Sequence, residues 1–327
     1  MTFATRLRQW TEPLVVYEAV PPTRDVSDEI VADRAERVAH LLADREVDAI
    51  NVPEIRVEAD GSGRELGELQ KRDPREFGRR VADRMAADTD VVANRAVVHD
   101  PPAVQADWFE TAYAEYGVEN VVIVGGGSSG MEYPGPSVSE GVELARRVGD
   151  AVGGDPCLGG ITIPSRRREE FDEPDRMLAK QESGVDFFTS QVVFDPDPTV
   201  RLLRDYEAVC CETGIDPAPV FLSFAPITRP ADARFLEQLG VKLPTDVRDW
   251  ILAADDHSAR RSVRVAEHVL DEVLTAIRCD SLAVPLGINV GHIMQYNLDA
   301  SGRLLDRLNG LLEWHQRDFS PTLPAHR

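Results

Sequence analysis

Short runs of β-branched and apolar residues alternate along the chain with longer stretches whose apolar residues recur at helical spacing. The runs predict buried strands, and the longer stretches predict amphipathic helices. In residues 27–45, for example, Val31, Ala35, Val38 and Leu42 share one helical face. The predicted strands cover residues 14–20, 48–52, 91–98, 120–124, 157–163, 185–193, 219–224 and 281–288. The predicted helices cover residues 27–45, 74–87, 103–116, 137–152, 173–183, 198–212 and 293–314, with a longer helical region at 231–277.

Strict alternation of strands and helices indicates a parallel sheet of the α/β class. Eight such strands close a barrel, so we predict a single-domain (β/α)8 TIM barrel over residues 1–327. An open doubly wound sheet is the alternative, but its usual G-x-G-x-x-G turn is absent after the first strand. We predict that the charged segment 56–75 is a loop at the barrel mouth and that 231–277 is a helical extension.

The charge balance limits the partners of the chain. It has 36 Lys and Arg against 57 Asp and Glu, a net charge of −21, so nucleic acids and anionic membrane surfaces would repel it. Only Lys71, Lys180 and Lys242 are lysines, and an acidic surface almost without lysine is expected of a protein that works in concentrated salt. No cysteine pair has C-x-x-C spacing. We expect a cytoplasmic homo-oligomer with a small-molecule substrate, no nucleic-acid or membrane partner and no metal site.

Glu18 is the first candidate for catalysis, because active sites of barrels form at the C-terminal ends of the strands. It is a carboxylate in an otherwise apolar strand, and a rigid Pro21-Pro22 turn follows it. Burial raises the pKa of such a carboxyl and suits it to be a general acid. The alternative interpretation is a structural ion pair with an arginine.

Gln191 ends the sixth predicted strand, just before Phe194-Asp195-Pro196. An amide can both donate and accept hydrogen bonds, as recognition of a heteroaromatic ring requires. A helix cap is the other interpretation, although Asp195 is better placed for that.

Two further features suggest an anion site. Gly125, Gly126 and Gly127 follow the fourth strand, and a glycine loop lets a phosphate approach backbone N–H groups, although a flexible loop explains them equally well. Lys180 lies late in a predicted helix and offers a compact ammonium that could pair with a diphosphate. Chance placement of one of three lysines is the alternative.

Several segments together resemble one family. Residues 16–23, V-Y-E-A-V-P-P-T, resemble the F-E-F-F-P-P start of methylenetetrahydrofolate reductases. Residues 180–195, K-Q-E-S-G-V-D-F-F-T-S-Q-V-V-F-D, look like that family's K-x-x-A-G-A-x-x-x-x-T-Q-x-x-F-D segment. Residues 219–226 and 241–244 are similar to its I-x-P-G-I-x-P and V-x-x-P stretches. Their order and spacing agree over nearly the whole chain.

The resemblance implies a (β/α)8 barrel with a flavin, usually FAD, over the C-terminal ends of the strands. NAD(P)H or another donor would reduce the flavin, which would pass hydride to 5,10-methylenetetrahydrofolate and give 5-methyltetrahydrofolate. Glu18 matches the family's general acid, which delivers a proton toward N10 of the folate. Gln191 matches the residue that hydrogen-bonds the pterin, and Lys180 matches a basic residue near the FAD diphosphate.

The chain departs from the family pattern on the flavin side. The family's L-R-G-D reads V-G-G-G at 124–127, its P-E-x-H reads P-S-R-R at 164–167, and its P-H-x-T reads N-R-A-V at 94–97. A second hypothesis is therefore a flavin-free or partner-dependent folate-binding barrel that acts in methyl transfer. A third is a non-catalytic folate-binding barrel, against which a buried acid argues.

Overall fold

Eight parallel strands form a closed barrel in the order β1 to β8, which confirms the predicted TIM-barrel class. The computed structural model describes residues 1–55, 70–85, 89–126, 132–166, 172–253, 257–292 and 294–317. The strands are β1 (Val15–Glu18), β2 (Ala49–Val52), β3 (Asp90–Ala96), β4 (Asn120–Val124), β5 (Cys157–Thr162), β6 (Phe187–Val192), β7 (Val220–Phe224) and β8 (Leu286–Gly291).

Helices surround the barrel and follow the strands in sequence. They are α1 (Phe3–Gln9), α2 (Asp28–Leu42), α3 (Pro74–Ala82), α4 (Pro102–Ala114), α5 (Val138–Val152), α6 (Glu173–Glu182), α7 (Pro196–Thr213), α8 (Pro230–Gln238), α9 (Thr245–Leu252), α10 (Ser258–Asp280) and α11 (Leu298–Arg317). Side-chain caps set several of their starts, as where Ser27 accepts from the backbone N–H of Ile30. Gly214 ends α7 in the left-handed region with a φ of 71°, a conformation that favours glycine. No helix in these ranges is long and apolar enough to cross a membrane.

The eighth strand is where the structure differs most from the sequence prediction. The predicted segment 281–288 is wrong by several residues, because α10 continues to Asp280 and β8 begins only at Leu286. Ser281 ends α10 in the left-handed region with a φ of 55°. The helical region predicted at 231–277 consists of three helices, α8 to α10.

Two apolar layers hold the barrel together. The larger one lies between the outward faces of the strands and the helices. The smaller one fills the interior of the barrel toward the N-terminal ends of the strands, with inward side chains such as Val16, Ala49 and Val92. Helix α1, which the sequence pattern did not predict, closes this end with Phe3, whose ring centroid lies 5.7 Å from that of Phe187 and 5.9 Å from that of Phe221.

The predicted charged loop lies for the most part outside the described residues, because 56–69 are not among them. Its described end pairs with the segment that follows β1: Arg24 N–H donates to Gln70 O at 2.7 Å, and Arg72 N–H donates to Pro22 O at 2.8 Å. This pairing places the end of the loop beside the C-terminal end of β1. The loop ends slightly earlier than predicted, since α3 begins at Pro74.

Candidate functional site

The interior of the barrel changes from apolar to polar toward the C-terminal ends of its strands. Successive side chains of a strand point to opposite faces, so a residue two positions after an inward residue also points inward. The apolar cluster inside the barrel contains Val16, Ala49, Val92 and Phe221. Two residues after each of them stand Glu18, Asn51, Asn94 and Ser223. Asn289 follows Gly287 in the same way on β8, where a Cβ on Gly287 would lie 2.7 Å from the Phe221 ring.

Glu18 lies at the centre of this polar layer. Asn51 Nδ2 on β2 and Asn289 Nδ2 on β8 both donate to Glu18 Oε2, at 3.0 and 3.3 Å. Glu18 Oε1 accepts no hydrogen bond from the described residues, and the side chain remains partly exposed. Gly291 on β8 lies close beside it, because a Cβ there would lie 3.0 Å from Glu18 Cβ and 3.4 Å from Oε1. Within the part of the chain that the structure describes, no arginine forms an ion pair with Glu18.

Burial raises the pKa of Glu18 above its usual range, and the two amide donors offset part of that shift. A carboxyl with a raised pKa holds its proton closer to neutral pH, as a general acid must. The structure thus supports the chemical character that the sequence pattern predicts for Glu18.

Three asparagines in this layer carry an unpartnered oxygen. Asn51, Asn94 and Asn289 are 2%, 8% and 2% exposed. Their Oδ1 atoms are buried and accept no hydrogen bond from any residue that the structure describes. Buried acceptors usually have a partner, so these oxygens indicate a place for a hydrogen-bond donor that is not part of the fold.

Hydrogen bonds continue the polar layer from Glu18 toward β6. Asn289 Nδ2 also donates to Ser223 Oγ on β7, at 3.1 Å. The backbone N–H of Ser223 donates to Ser190 Oγ at 2.9 Å, and Ser190 Oγ donates to Gln191 O at 2.8 Å. With the bond from Asn51, these hydrogen bonds link five neighbouring strands, from β2 through β1, β8 and β7 to β6.

Gln191 lies at the same end of the barrel as Glu18, with β7 and β8 between their strands. It lies within the register shift between Thr189 and Val192, and its Nε2 donates to Leu239 O after α8, at 3.0 Å. The two side chains share no hydrogen bond in the described structure. That Glu18 and Gln191 flank one pterin ring stays a prediction.

The glycines after β4 leave room for protein atoms. A Cβ on Gly126 would lie 2.2 Å from Cζ of Tyr133, so the Tyr133 ring occupies the space beside this glycine. A Cβ on Gly125 would lie 3.0 Å from a methyl group of Val138. Gly127 lies outside the described residues, and the predicted phosphate contact of this loop stays a prediction.

Lys180 is buried between α6 and the barrel. Its Nζ donates to the backbone carbonyl of Ile161 on β5 at 2.6 Å. Burial lowers its pKa to about 8. The ammonium therefore bonds a strand of the barrel wall, and its contact with a diphosphate stays a prediction.

Lys180→Met tests this position through the pH dependence of stability. The pKa of Lys180 is lower in the folded chain, so between about pH 8 and 10.5 the unfolded chain binds more protons and the wild type gains stability as pH rises. We expect the free energy of unfolding of the wild type, relative to Lys180→Met, to increase by up to about 3 kcal/mol over this range. Chemical denaturation at a series of pH values measures this difference, and a constant difference would contradict the buried placement.

Sequence reasoning missed Asn51, Asn94, Ser223 and Asn289. The available signal was a polar residue inside an apolar strand, two positions after an apolar one, as in Ala49-Ile50-Asn51.

The sequence pattern also assigns no role to His292, which follows β8. Its Nδ1 lies 3.1 Å from the Tyr17 hydroxyl, and burial lowers its pKa to about 4, so the ring is neutral near pH 7. Among the described side chains, no three His, Cys, Asp or Glu residues are grouped to hold a metal ion.

Comparison with known proteins supports the fold. No protein-family model matches the chain, and no curated protein matches it. An uncharacterized protein from Clostridium thermocellum that binds two copies of 5-methyl-5,6,7,8-tetrahydrofolic acid has a similar structure, with a TM-score of 0.77 and 16% sequence identity over 94% of this chain and 99% of that chain.

Two more distant solved structures both have a TM-score of 0.48. Oxaloacetate acetylhydrolase is 12% identical over 88% of this chain and 80% of its own. 2,3-Dimethylmalate lyase is 14% identical over 100% of this chain and 92% of its own. At 16% identity, the likeness to the Clostridium thermocellum protein bears on the fold alone.

Proposed function

We propose that the chain is an enzyme that binds tetrahydrofolate carrying a one-carbon group and reduces 5,10-methylenetetrahydrofolate to 5-methyltetrahydrofolate. The observation that carries the proposal is Glu18, a carboxyl with a raised pKa and an unengaged Oε1 at the C-terminal end of the barrel interior. Active sites of TIM barrels form at this end. The tetrahydrofolate bound by the Clostridium thermocellum protein of similar fold supports the substrate class.

The proposed role of Glu18 is to move one proton. The methylene carbon of the substrate bridges N5 and N10, and protonation at N10 makes that nitrogen a better leaving group. When the C–N10 bond breaks, an iminium ion remains at N5, and hydride addition to its carbon gives the 5-methyl group. Asn51 and Asn289 would hold the Glu18 carboxyl in place by their bonds to Oε2.

In the described structure, two of the residues predicted to hold an FAD diphosphate contact other parts of the chain. Lys180 is buried against Ile161 O, and the Tyr133 ring fills the space beside Gly126. The proton transfer proposed for Glu18 is the same whether the hydride comes from a flavin or directly from NADH or NADPH.

The same two contacts favour a second candidate, a flavin-free barrel that moves a methyl group with a partner subunit. Such a protein would need the folate site around Glu18 but no diphosphate site. The two candidates differ in whether the isolated chain makes 5-methyltetrahydrofolate with a reductant.

Turnover by the purified chain separates these functions. The protein, purified in molar salt, is incubated with 5,10-methylenetetrahydrofolate and NADH or NADPH, with and without added FAD, and the product is identified by chromatography. We expect 5-methyltetrahydrofolate to form. Formation only with FAD, together with a visible flavin absorbance band in the protein, identifies a flavoprotein, whereas formation without FAD identifies direct transfer from the nicotinamide. Absence of product under all conditions, with folate still bound, overturns the reductase and favours the second candidate.

A further inference from the structure

The three asparagines of the polar layer form a fixed set of hydrogen-bond acceptors, which we call the acceptor floor: Asn51, Asn94 and Asn289. All three are more than nine-tenths buried. Their Oδ1 atoms point to no donor within the described ranges. An apolar ligand would leave them unsatisfied, so a ligand in this place needs donor groups.

Glu18 fixes the orientation of two of these amides. Asn51 and Asn289 both direct Nδ2 to Glu18 Oε2. Rotation of either amide by half a turn would place its Oδ1 against the carboxylate oxygen, which is repulsive. Their oxygens are therefore held as acceptors before a ligand binds.

Asn94 differs from the other two because its amide forms no hydrogen bond with the described residues. It reaches the same inward face from β3, two residues after Val92 of the inner apolar cluster. Its side chain makes no hydrogen bond with Glu18 in the described structure, unlike those of the other two asparagines. A ligand is the partner that its position suggests.

We infer that the acceptor floor selects the donor edge of a reduced pterin ring and disfavours both the oxidised pterin and a flavin. The inference rests on the proposed function and specifies which part of the substrate lies deepest in the barrel.

The donor pattern of the three rings supports this selection. A tetrahydropterin carries N–H donors at its 2-amino group, N3 and N8. In the oxidised pterin N8 has no hydrogen and is an acceptor. The pyrimidine edge of a flavin carries one N–H between two carbonyl oxygens. Two of its three polar groups are therefore acceptors, and they would face the acceptor oxygens of the asparagines. Buried polar groups without partners discriminate strongly between such analogues.

Binding of defined ligands to Asn94 variants tests the inference. Tetrahydrofolate, folic acid and FMN are titrated calorimetrically into the wild type, Asn94→Leu and Asn94→Asp in molar salt. We expect the wild type to bind tetrahydrofolate at least about tenfold more tightly than folic acid and not to exchange it for FMN. Asn94→Leu should weaken tetrahydrofolate binding about tenfold, whereas Asn94→Asp, which keeps an acceptor in the same place, should retain it.

Asn309→Leu is the matched control. Asn309 also has a buried, unpartnered Oδ1, but it lies on α11 and donates to Glu46 O just before β2, at the opposite end of the barrel. Its replacement should leave tetrahydrofolate binding unchanged. Thermal unfolding of each variant checks that the fold is retained.

The outcomes separate the two proposals. Equal binding of tetrahydrofolate by the wild type and Asn94→Leu overturns the inference, because water would then be the donor to the oxygens of the acceptor floor. It leaves the reductase proposal intact. Displacement of tetrahydrofolate by FMN, with a loss of FMN affinity in Asn94→Leu, assigns the floor to a flavin and also overturns it. No binding of tetrahydrofolate to the wild type overturns both the inference and the proposed function.

Discussion

Glu18→Gln is expected to lose at least about a hundredfold in turnover of 5,10-methylenetetrahydrofolate while it keeps its fold and its affinity for tetrahydrofolate. The glutamine side chain has the same shape and can still hydrogen-bond Asn51 and Asn289, but it has no proton to deliver. Steady-state turnover of the two proteins under identical salt measures the effect. Glu12→Gln is the control, because Glu12 is an exposed partner of Arg6 that precedes β1 at the opposite end of the barrel.

The pH dependence of the same variant gives a second measure. If protonated Glu18 is the active form, turnover by the wild type falls as pH rises through the raised pKa of Glu18, and residual turnover by Glu18→Gln lacks that decline. The folded chain also holds this proton longer than the unfolded chain, so the wild type loses stability as pH rises from the usual pKa of a glutamate to the raised value. Glu18→Gln should therefore gain stability relative to the wild type at pH 8 and not at acidic pH. Wild-type turnover by Glu18→Gln would refute the acid assignment.

Arg95→Met is expected to destabilise the chain by about 3 to 5 kcal/mol. The side chain of Arg95 is 4% exposed and lies between two acidic partners, Glu54 Oε1 at 2.8 Å and Asp100 Oδ2 at 2.9 Å. It also donates to Gln105 Oε1 at 2.7 Å. Its removal deprives the two poorly hydrated carboxylates of the positive charge of the guanidinium. Methionine fills a similar volume but offers no hydrogen-bond donor.

Chemical denaturation of the wild type and Arg95→Met measures this loss. Arg79→Met is the matched control, since the Arg79–Asp83 pair is exposed on α3 and its loss should cost less than about 1 kcal/mol. Arg95 directly follows Asn94, so a weakened β3 should also impair folate binding. Equal losses in the two variants would show that the buried network adds no more to stability than the exposed pair does.

The fold was predictable because its main signal is local. Each of the first seven strands contains a short apolar run, and the closed parallel barrel follows from eight strands that alternate with helices. The eighth strand was misplaced because Leu282, Ala283 and Val284 form an apolar run just before the strand, which begins only at Leu286. That error placed Asn289 outside the predicted strand, so its inward position was missed.

The candidate site was only partly predictable. Glu18 was recognisable as a charged residue within an apolar strand. Asn51 and Asn94 carry a weaker signal, because strands of a parallel barrel are buried on both faces and their pattern does not tell which face is inside. That distinction required the register of the neighbouring strands.

The contacts of Lys180 and Gly126 could not be read from the sequence. Lys180 bonds a backbone carbonyl on another element, and every residue type has such a carbonyl. Gly126 accommodates Tyr133, a residue from the segment that returns toward α5, and only the path of that segment brings the two together.

The position of Phe3 has a consequence for how the chain is synthesised. Its ring packs against Phe187 and Phe221, which the ribosome adds long after the first helix has emerged. The apolar face of that helix consequently stays in solution, or bound to a chaperone, until most of the polypeptide has been made. The interior core of the barrel can therefore be completed only after β7 has been synthesised. In a nascent chain stalled before Phe221, Phe3 should be accessible to proteases or to hydrophobic dyes.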